Sequence, residues 1–159
     1  MRIIVQIFRQ EVFVDIEFQV IPHGTSFYQA AVKLRQDVLR EPLGLTFTSE
    51  DMEAEKAHIQ IIGVEGEKVR ACAVLVPEGT QMKMQRVAVA PDLQGHGIGR
   101  AMTKFCERYA VAHGAKSIYV HARHSAVSFY EKCWYVGEGE MFDEDGIPHL
   151  KMWKLLSPP

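Results

Sequence analysis

The sequence is poor in cysteine, and this scarcity limits the compartments in which the chain would function. Only three cysteines, Cys72, Cys106 and Cys133, occur in 159 residues. Their odd number and wide spacing argue against a disulfide framework and favour a reducing compartment, so we expect a cytoplasmic location. Each cysteine is expected to be a small buried hydrophobic side chain rather than a catalytic thiol.

Long apolar runs are also missing. No stretch approaches the roughly 18 residues that a membrane-spanning helix needs. Charged side chains interrupt residues 1–18, which therefore lack the apolar core of a signal peptide. We expect neither a membrane partner nor secretion.

The sequence shows no charge surplus and no metal-ligand pattern. Its formal net charge is −2, whereas nucleic-acid binders usually carry a basic stripe, so no nucleic-acid partner is expected. His121 and His124 form an H-x-x-H pair, but no second pair follows at zinc-site spacing, so no metal is expected. The length and the hydrophobic fraction of 47% are those of one ordinary globular domain, residues 1–159.

Apolar periodicity and turn residues predict elements in the order βααβββαβαββ, with residues 1–11 forming an extra strand or a tail. The predicted strands are residues 12–20, 58–64, 69–76, 81–90, 117–121, 135–142 and 149–155. Helices are predicted from Ser26, which forms a capping box with Gln29, and over 49–57, 98–113 and 125–132. This order indicates an α/β protein whose mixed sheet carries helices on its faces.

A glycine-rich turn, Gln94-Gly95-His96-Gly97-Ile98-Gly99, separates the predicted strand 81–90 from the helix that follows. Positions without side chains let phosphate oxygens approach backbone N–H groups, and the unpaired donors of a helix start point the same way. Arg100 is either an additional charged contact or a solvated helix residue. Tight turns also need glycine, so the turn alone indicates an anion site of moderate specificity.

Two common nucleotide sites do not fit this turn. A P-loop would continue with Gly-Lys-Ser/Thr, which is absent. A dinucleotide-binding Rossmann site needs an acidic residue about 20 positions later, and residues 114–120 contain no carboxylate.

The turn and its surroundings resemble the GNAT superfamily of acyl-CoA N-acyltransferases. The family's phosphate motif, Q/R-x-x-G-x-G/A, is matched by Gln94, Gly97 and Gly99. Residues 86–91 resemble its fourth strand, and residues 126–132, with the run F-Y-E-K, resemble its last helix. The resemblance is strong over residues 69–155. Segments 35–44 and 142–152 are similar to a small bacterial subgroup of the family.

The resemblance implies a GNAT-like fold, in which a central mixed, mostly antiparallel sheet is splayed between the family's fourth and fifth strands and flanked by about four helices. It implies acetyl-CoA as cosubstrate, with the pantetheine arm paired to the fourth strand and the pyrophosphate held by the turn. The coenzyme-binding residues so implied are Val87, Ala88, Val89, Gln94, Gly95, His96, Gly97, Ile98, Gly99 and Arg100.

The implied activity is transfer of an acetyl group to a primary amine of a small molecule or peptide by direct attack. The Val87 backbone N–H would stabilise the developing oxyanion. Tyr130 would lie near the sulfur and assist the leaving thiolate, because a tyrosine with a pKa near ~10 is a competent proton donor to it. The alternative for Tyr130 is a tyrosine that only packs on its helix.

The general base is left unassigned. The amine must lose a proton, since a lysine-like amine has a pKa near ~10.4. Many relatives carry a glutamate on the fourth strand, but residues 82–85 offer no carboxylate. A water relay would serve as well as any of the candidates that could reach a cleft, which are Glu53, His23, His121 and His124.

Two further sequence features, together with the function and the oligomeric state, leave alternatives open. Trp134 stands where the family usually has a glycine helix cap, so we expect a different exit from the last helix. The acidic stretch 138–145 would favour a cationic amine if it rimmed the pocket, although a solvated hairpin tip is the simpler interpretation. A non-catalytic acyl-CoA-binding module is the alternative function, and a homodimer is expected only by analogy with the superfamily.

Overall fold

The computed structural model describes residues 1–7 and 12–157, which form one sheet with helices on both faces. The strands are β1 (Arg2–Ile7), β2 (Val12–Ile21), β3 (Ile59–Glu65), β4 (Lys68–Glu78), β5 (Gln81–Val89), β6 (Ser117–Arg123), β7 (Val136–Glu144) and β8 (Ile147–Leu155). The α-helices are α1 (Ser26–Arg35), α2 (Ser49–Ala54), α3 (Ile98–Ala112) and α4 (Val127–Lys132). The predicted order is confirmed, with β1 added in front of it. Residues 8–11 lie outside the described part.

The sheet has the order β1-β2-β3-β4-β5-β6-β8-β7. Neighbouring strands are antiparallel except β5 and β6, which are parallel. These two pair only where Gln81–Lys83 meets Ser117–Tyr119, although β5 continues to Val89 and β6 to Arg123. The predicted mixed, mostly antiparallel sheet is therefore observed, and it is open between β5 and β6.

Two apolar cores cover opposite faces of this sheet. Ala71, Ala73 and Leu75 of β4 belong to the core that contains α3. Cys72, between them, belongs to the core that contains Tyr28 of α1. Because successive residues of a strand point to opposite faces, α1 and α3 lie on opposite sides of the sheet.

The first helix begins differently from the prediction. Its N-cap is Thr25, whose hydroxyl accepts a hydrogen bond from the Tyr28 N–H at 3.2 Å. The predicted capping box of Ser26 with Gln29 does not form, because Thr25 has the extended backbone that an N-cap needs and Ser26 is already helical. A capping box does form at α2, between Thr48 and Asp51. Helix α1 continues into a π-helical turn, Gln36–Arg40.

The exit from α4 also differs from the prediction. Trp134 has a φ of 69°, so it occupies the left-handed position that a glycine would take. The N–H groups of Trp134 and Tyr135 donate to the carbonyls of Glu131 and Tyr130, each at 3.0 Å, which is a Schellman cap. The expected alternative exit is wrong, because the tryptophan side chain points outwards, 77% exposed, and the backbone keeps the glycine-like geometry.

No helix in the described residues combines the length and the apolarity that crossing a membrane would require.

Candidate active site

A cleft of about 610 Å³ opens where β5 and β6 separate. Its walls come from β5, from β6, from the π-helical turn after α1, and from the hairpin that joins β7 to β8. Three of the predicted site residues, Val87, Gln94 and Tyr130, line it. The structure thus brings three parts of the chain together at one cavity. They are the end of β5, which corresponds to the family's fourth strand, the start of the glycine-rich turn, and α4.

A β-bulge bends β5 at the wall of this cleft. Along the β4–β5 ladder, Val74 faces Gln85 while Cys72 faces Ala88, so β5 has one extra residue. Arg86, within the bulge, has a φ of 52°. A bulge leaves backbone groups outside the regular ladder and re-aims the strand, here next to Val87. The sequence gives no signal for it, because the left-handed residue is an arginine rather than a glycine.

Arg86 is held by a buried charge cluster. Its Nε lies 2.6 Å from Glu55 Oε1, a close ion pair whose N–H is not aligned for a hydrogen bond. Glu55 Oε2 accepts from Arg35 Nη2 at 2.5 Å and from the Tyr28 hydroxyl at 2.8 Å. Arg35 and Glu55 are each only 1% exposed. Sequence reasoning missed Glu55, which looks like one more acidic residue of a short surface helix.

This cluster changes the acidity of its members. Burial lowers the pKa of Arg86, as do Arg35 and Arg40, while Glu55 opposes the shift. Burial and the bond to Glu55 raise the pKa of Tyr28 to about 12. Arg35, Arg40 and Arg86 also lie over the ring of Phe47, at 4.9, 4.5 and 4.6 Å from its centroid. The bulge is therefore fixed from the α1 face of the sheet.

The glycine turn has the backbone and the space that an anion needs. Gly95 and Gly97 have φ values of 81° and 83°, and a Cβ built on either would meet no atom within 4 Å. Gly97 is the N-cap of α3 and supplies no side-chain cap, and the first turn carries no acidic residue. The first N–H groups of α3 therefore have no side-chain cap and lie at the positive end of the helix dipole.

The other turn residues have distinct surroundings. Gln94 Nε2 donates to the Val89 carbonyl at 3.0 Å. The Ile98 side chain is buried in the core beneath α3, and the Arg100 side chain is exposed. A Cβ on Gly99 would lie 3.4 Å from the Phe129 ring. This is an ordinary van der Waals distance, so the packing of α3 against α4 does not require glycine at this position.

Ala88 and His96 complete the predicted set. The Ala88 side chain is buried in the core beneath α1, so only its backbone is left for a ligand. His96 is partly exposed within the turn.

Tyr130 both packs and lines the cleft. Its side chain is 6% exposed, and its ring meets the rings of Phe129 and Tyr135 edge-on, with centroids 5.0 and 5.4 Å away. Burial raises the pKa of Tyr130 above the usual range of tyrosine. The hydroxyl therefore keeps its proton at neutral pH and is available as a donor.

The structure separates the four candidate bases. Glu53 is exposed and pairs with Lys56 at 2.6 Å, and His23 Nε2 contacts the Met52 carbonyl at 2.9 Å. His124 is exposed and lies outside the cleft lining. His121 is the one of the four that lines the cleft.

His121 belongs to a polar cluster with the β7–β8 hairpin. Its Nδ1 lies 3.1 Å from Glu144 Oε1, and His149 Nε2 lies 3.5 Å from Glu144 Oε2. The pKa of Glu144 is lowered: burial would raise it, but the hydrogen bond from His121 and the charges of His121, His149 and Lys83 outweigh burial.

Each carboxylate of the acidic stretch either pairs with an arginine or a histidine or lies outside the cleft lining. Asp145 pairs with Arg40 at 2.9 Å, and Glu144 is occupied by the histidines. Glu138 and Glu140 are exposed on β7. Arg123, which also lines the cleft, donates to the Leu39 carbonyl at 2.8 Å. Within residues 1–7 and 12–157, no three His, Cys, Asp or Glu side chains are grouped so as to hold a metal ion.

Comparisons with known proteins agree with this fold. A family model for an acetyltransferase (GNAT) domain matches residues 43–156. The uncharacterized N-acetyltransferase YjcF of Bacillus subtilis is 29% identical over 137 residues, which cover 85% of this chain and 97% of YjcF.

Solved structures share the fold. That of a proposed N-acetyltransferase from Lactobacillus plantarum superposes with a TM-score of 0.79 at 26% identity, covering 89% of this chain and 99% of the other. An aminoglycoside 6'-N-acetyltransferase complexed with coenzyme A has a TM-score of 0.74 at 15% identity, covering 90% and 98%.

Proposed function

Because the chain belongs to the GNAT acetyltransferase family, we propose that it transfers the acetyl group of acetyl-CoA to a primary amine of a small molecule or peptide. One observation carries the proposal most directly: the uncapped start of α3, with the open glycines Gly95 and Gly97, adjoins a cleft between two separated strands. Such a site suits a ligand that has an anionic head and an extended arm, as acetyl-CoA has. A membrane or nucleic-acid partner forms no part of this proposal.

The residues present fit coenzyme A. The N–H groups from Gln94 to Arg100 would bind the pyrophosphate, since they combine unpaired donors with a positive helix end. The edge of β5 beyond Lys83, including Val87, Ala88 and Val89, has no β6 partner and would pair with the amide-bearing pantetheine arm as a strand does. When bound, acetyl-CoA would supply a thioester carbonyl that an amine can attack.

The chain's own groups would then act on that carbonyl and on the sulfur. The backbone N–H of Val87, beside the bulge, would donate to the carbonyl oxygen as negative charge develops on it. Tyr130 would donate a hydrogen bond from its hydroxyl to the departing sulfur while the bond from the amine nitrogen to the acetyl carbon forms and the carbon–sulfur bond breaks. The proton released by the amine balances the one that the CoA thiolate finally takes up. The amine loses one proton, which a base or water must accept.

We also propose that the protein works in the cytoplasm. Cys72, Cys106 and Cys133 are free and buried. Burial raises the pKa of Cys72 to about 12 and also raises that of Cys133, so these thiols stay protonated at neutral pH. Such side chains serve the core rather than a disulfide or nucleophile.

The test of the proposed function is thiol release from acetyl-CoA across a panel of polyamines, amino acids, aminoglycosides and peptides. We expect at least one amine class to raise the rate above that of hydrolysis without amine. Silence across the panel, with acetyl-CoA binding intact, would instead support a non-catalytic acyl-CoA-binding module. That alternative draws on the absence of a carboxylate at residues 82–85 of β5.

A further inference from the structure

We propose that His121, oriented by Glu144, is the general base that takes the proton from the acceptor amine. This inference rests on the proposed acetyl transfer. It assigns the role that the sequence left open to a pair of side chains at the wall of the cleft.

The position of His121 is the first observation. It lies on β6, in the part of the strand that no longer pairs with β5, and it lines the same cleft as Val87 and Tyr130. An amine that attacks a carbonyl held between these strands must enter this cleft. Among the four candidates named from the sequence, only His121 can meet it there.

The hydrogen bond to Glu144 is the second observation. A carboxylate can only accept, so the 3.1 Å contact requires the proton of a neutral His121 to reside on Nδ1. Nε2 then carries the lone pair and is the nitrogen able to receive a proton. Glu144 also stabilises the imidazolium that forms after proton transfer.

A second histidine lies beside Glu144, and its contact with the carboxylate is attractive only when that histidine is protonated. His149, which is buried, lies 2.8 Å from the Ile147 carbonyl through Nδ1 and 3.5 Å from Glu144 Oε2 through Nε2. Phe142 packs edge-on against the His121 ring, with centroids 4.9 Å apart. The His121 ring is therefore fixed by a hydrogen bond and by an aromatic contact from the same hairpin.

Other charged groups face this pair, and a pH profile must take them into account. The cations Lys83, Arg40, Arg86 and Arg123 line the cleft, and Lys151 is the ladder partner of His121 on β8. The carboxylates of Glu144 and Asp145 also line the cleft. A pH profile must therefore separate His121 from the second histidine that lines the cleft, His149.

The kinetic test uses His121→Gln with an amine identified by the panel. We expect kcat to fall by roughly 10²–10⁴-fold, the usual contribution of a general base, with acetyl-CoA affinity unchanged. The acid limb of the pH–rate profile should disappear. The matched control is His124→Gln, an exposed histidine next to β6 that should keep the limb. A His121→Gln rate within about threefold of the parent, with the limb retained, would overturn the assignment and point to water as the base.

A second measurement needs no acceptor. Nitrogen-15 NMR of the histidine rings should show His121 as the Nδ1–H tautomer, and Glu144→Gln should change its titration. An Nε2–H tautomer, or a titration indifferent to Glu144→Gln, contradicts the inference even if the amine panel is silent. If no amine of the panel is acetylated, that result counts against the proposed function and not against the role of His121. Failure of the proposed function and failure of the His121 assignment are therefore distinguishable.

Discussion

Tyr130 shows how one residue can serve both packing and chemistry. Tyr130→Phe keeps the ring contacts with Phe129 and Tyr135 and removes only the hydroxyl. If that hydroxyl donates to the leaving sulfur, kcat should fall by roughly 10²-fold while the Kd of acetyl-CoA stays close to that of the parent. Steady-state kinetics and calorimetry measure the two quantities. Equal turnover in both proteins would leave Tyr130 as a packing residue.

Glu55 is the residue on which the bulge depends most strongly. Glu55→Gln leaves Arg35 and Arg86 without their shared buried counter-ion. Breaking such a pair by removing one partner costs about 3–5 kcal/mol, so the urea midpoint should fall sharply. The control is Glu53→Gln, which removes an exposed carboxylate of α2 and should change the free energy of unfolding by less than about 0.5 kcal/mol. Similar midpoints for the two variants would show that the cluster contributes nothing to stability.

At the scale of elements, the end of α4 carries strain that glycine would relieve. Trp134 is left-handed and exposed, and for a residue with a Cβ this conformation costs roughly 1–2 kcal/mol. Trp134→Gly should therefore raise the free energy of unfolding by about 1 kcal/mol, measured by urea denaturation. Trp134→Ala keeps the strain and should show no such gain. A glycine variant no more stable than the alanine variant would contradict the argument.

The turn between β5 and α3 is the element that we expect to bind the coenzyme. Gly97→Asp places a carboxylate beside the uncapped N–H groups that begin α3, so acetyl-CoA affinity should fall at least tenfold, about 1.4 kcal/mol. Gly66→Asp is the matched control, because Gly66 is also left-handed, with open space at its Cβ, but lies in the β3–β4 turn. Titration calorimetry on the folded variants compares them. Equal affinity in both would place the pyrophosphate elsewhere.

At the scale of the whole molecule, the sequence predicted what local patterns determine. Alternation in β2 and the three- and four-residue spacing in α3 are set by neighbouring residues, so both elements were predicted close to their observed bounds. The Q-x-x-G-x-G turn was found because glycine marks it directly. The sequence named His121 as one of four candidate bases, and the fold shows that it is the one of the four that lines the cleft.

Features set by distant contacts were not predictable in this way. The bulge at Arg86 depends on Glu55, which lies in a different element on the α1 face of the sheet. The left-handed Trp134 was missed for a different reason: its residue type disfavours that conformation, and the local hydrogen bonds of the Schellman cap impose it nonetheless. The partner of His121, Glu144, comes from a hairpin tip that looked merely solvated.

The central claim is that the cleft holds acetyl-CoA and an amine together. The most direct measurement is mass spectrometry of acceptors incubated with acetyl-CoA and the protein, combined with counting of released thiol. We expect an acceptor heavier by one acetyl group, with one thiol released for each acetylated molecule. Bound acetyl-CoA without any acetylated amine, or thiol released only by hydrolysis, would contradict it.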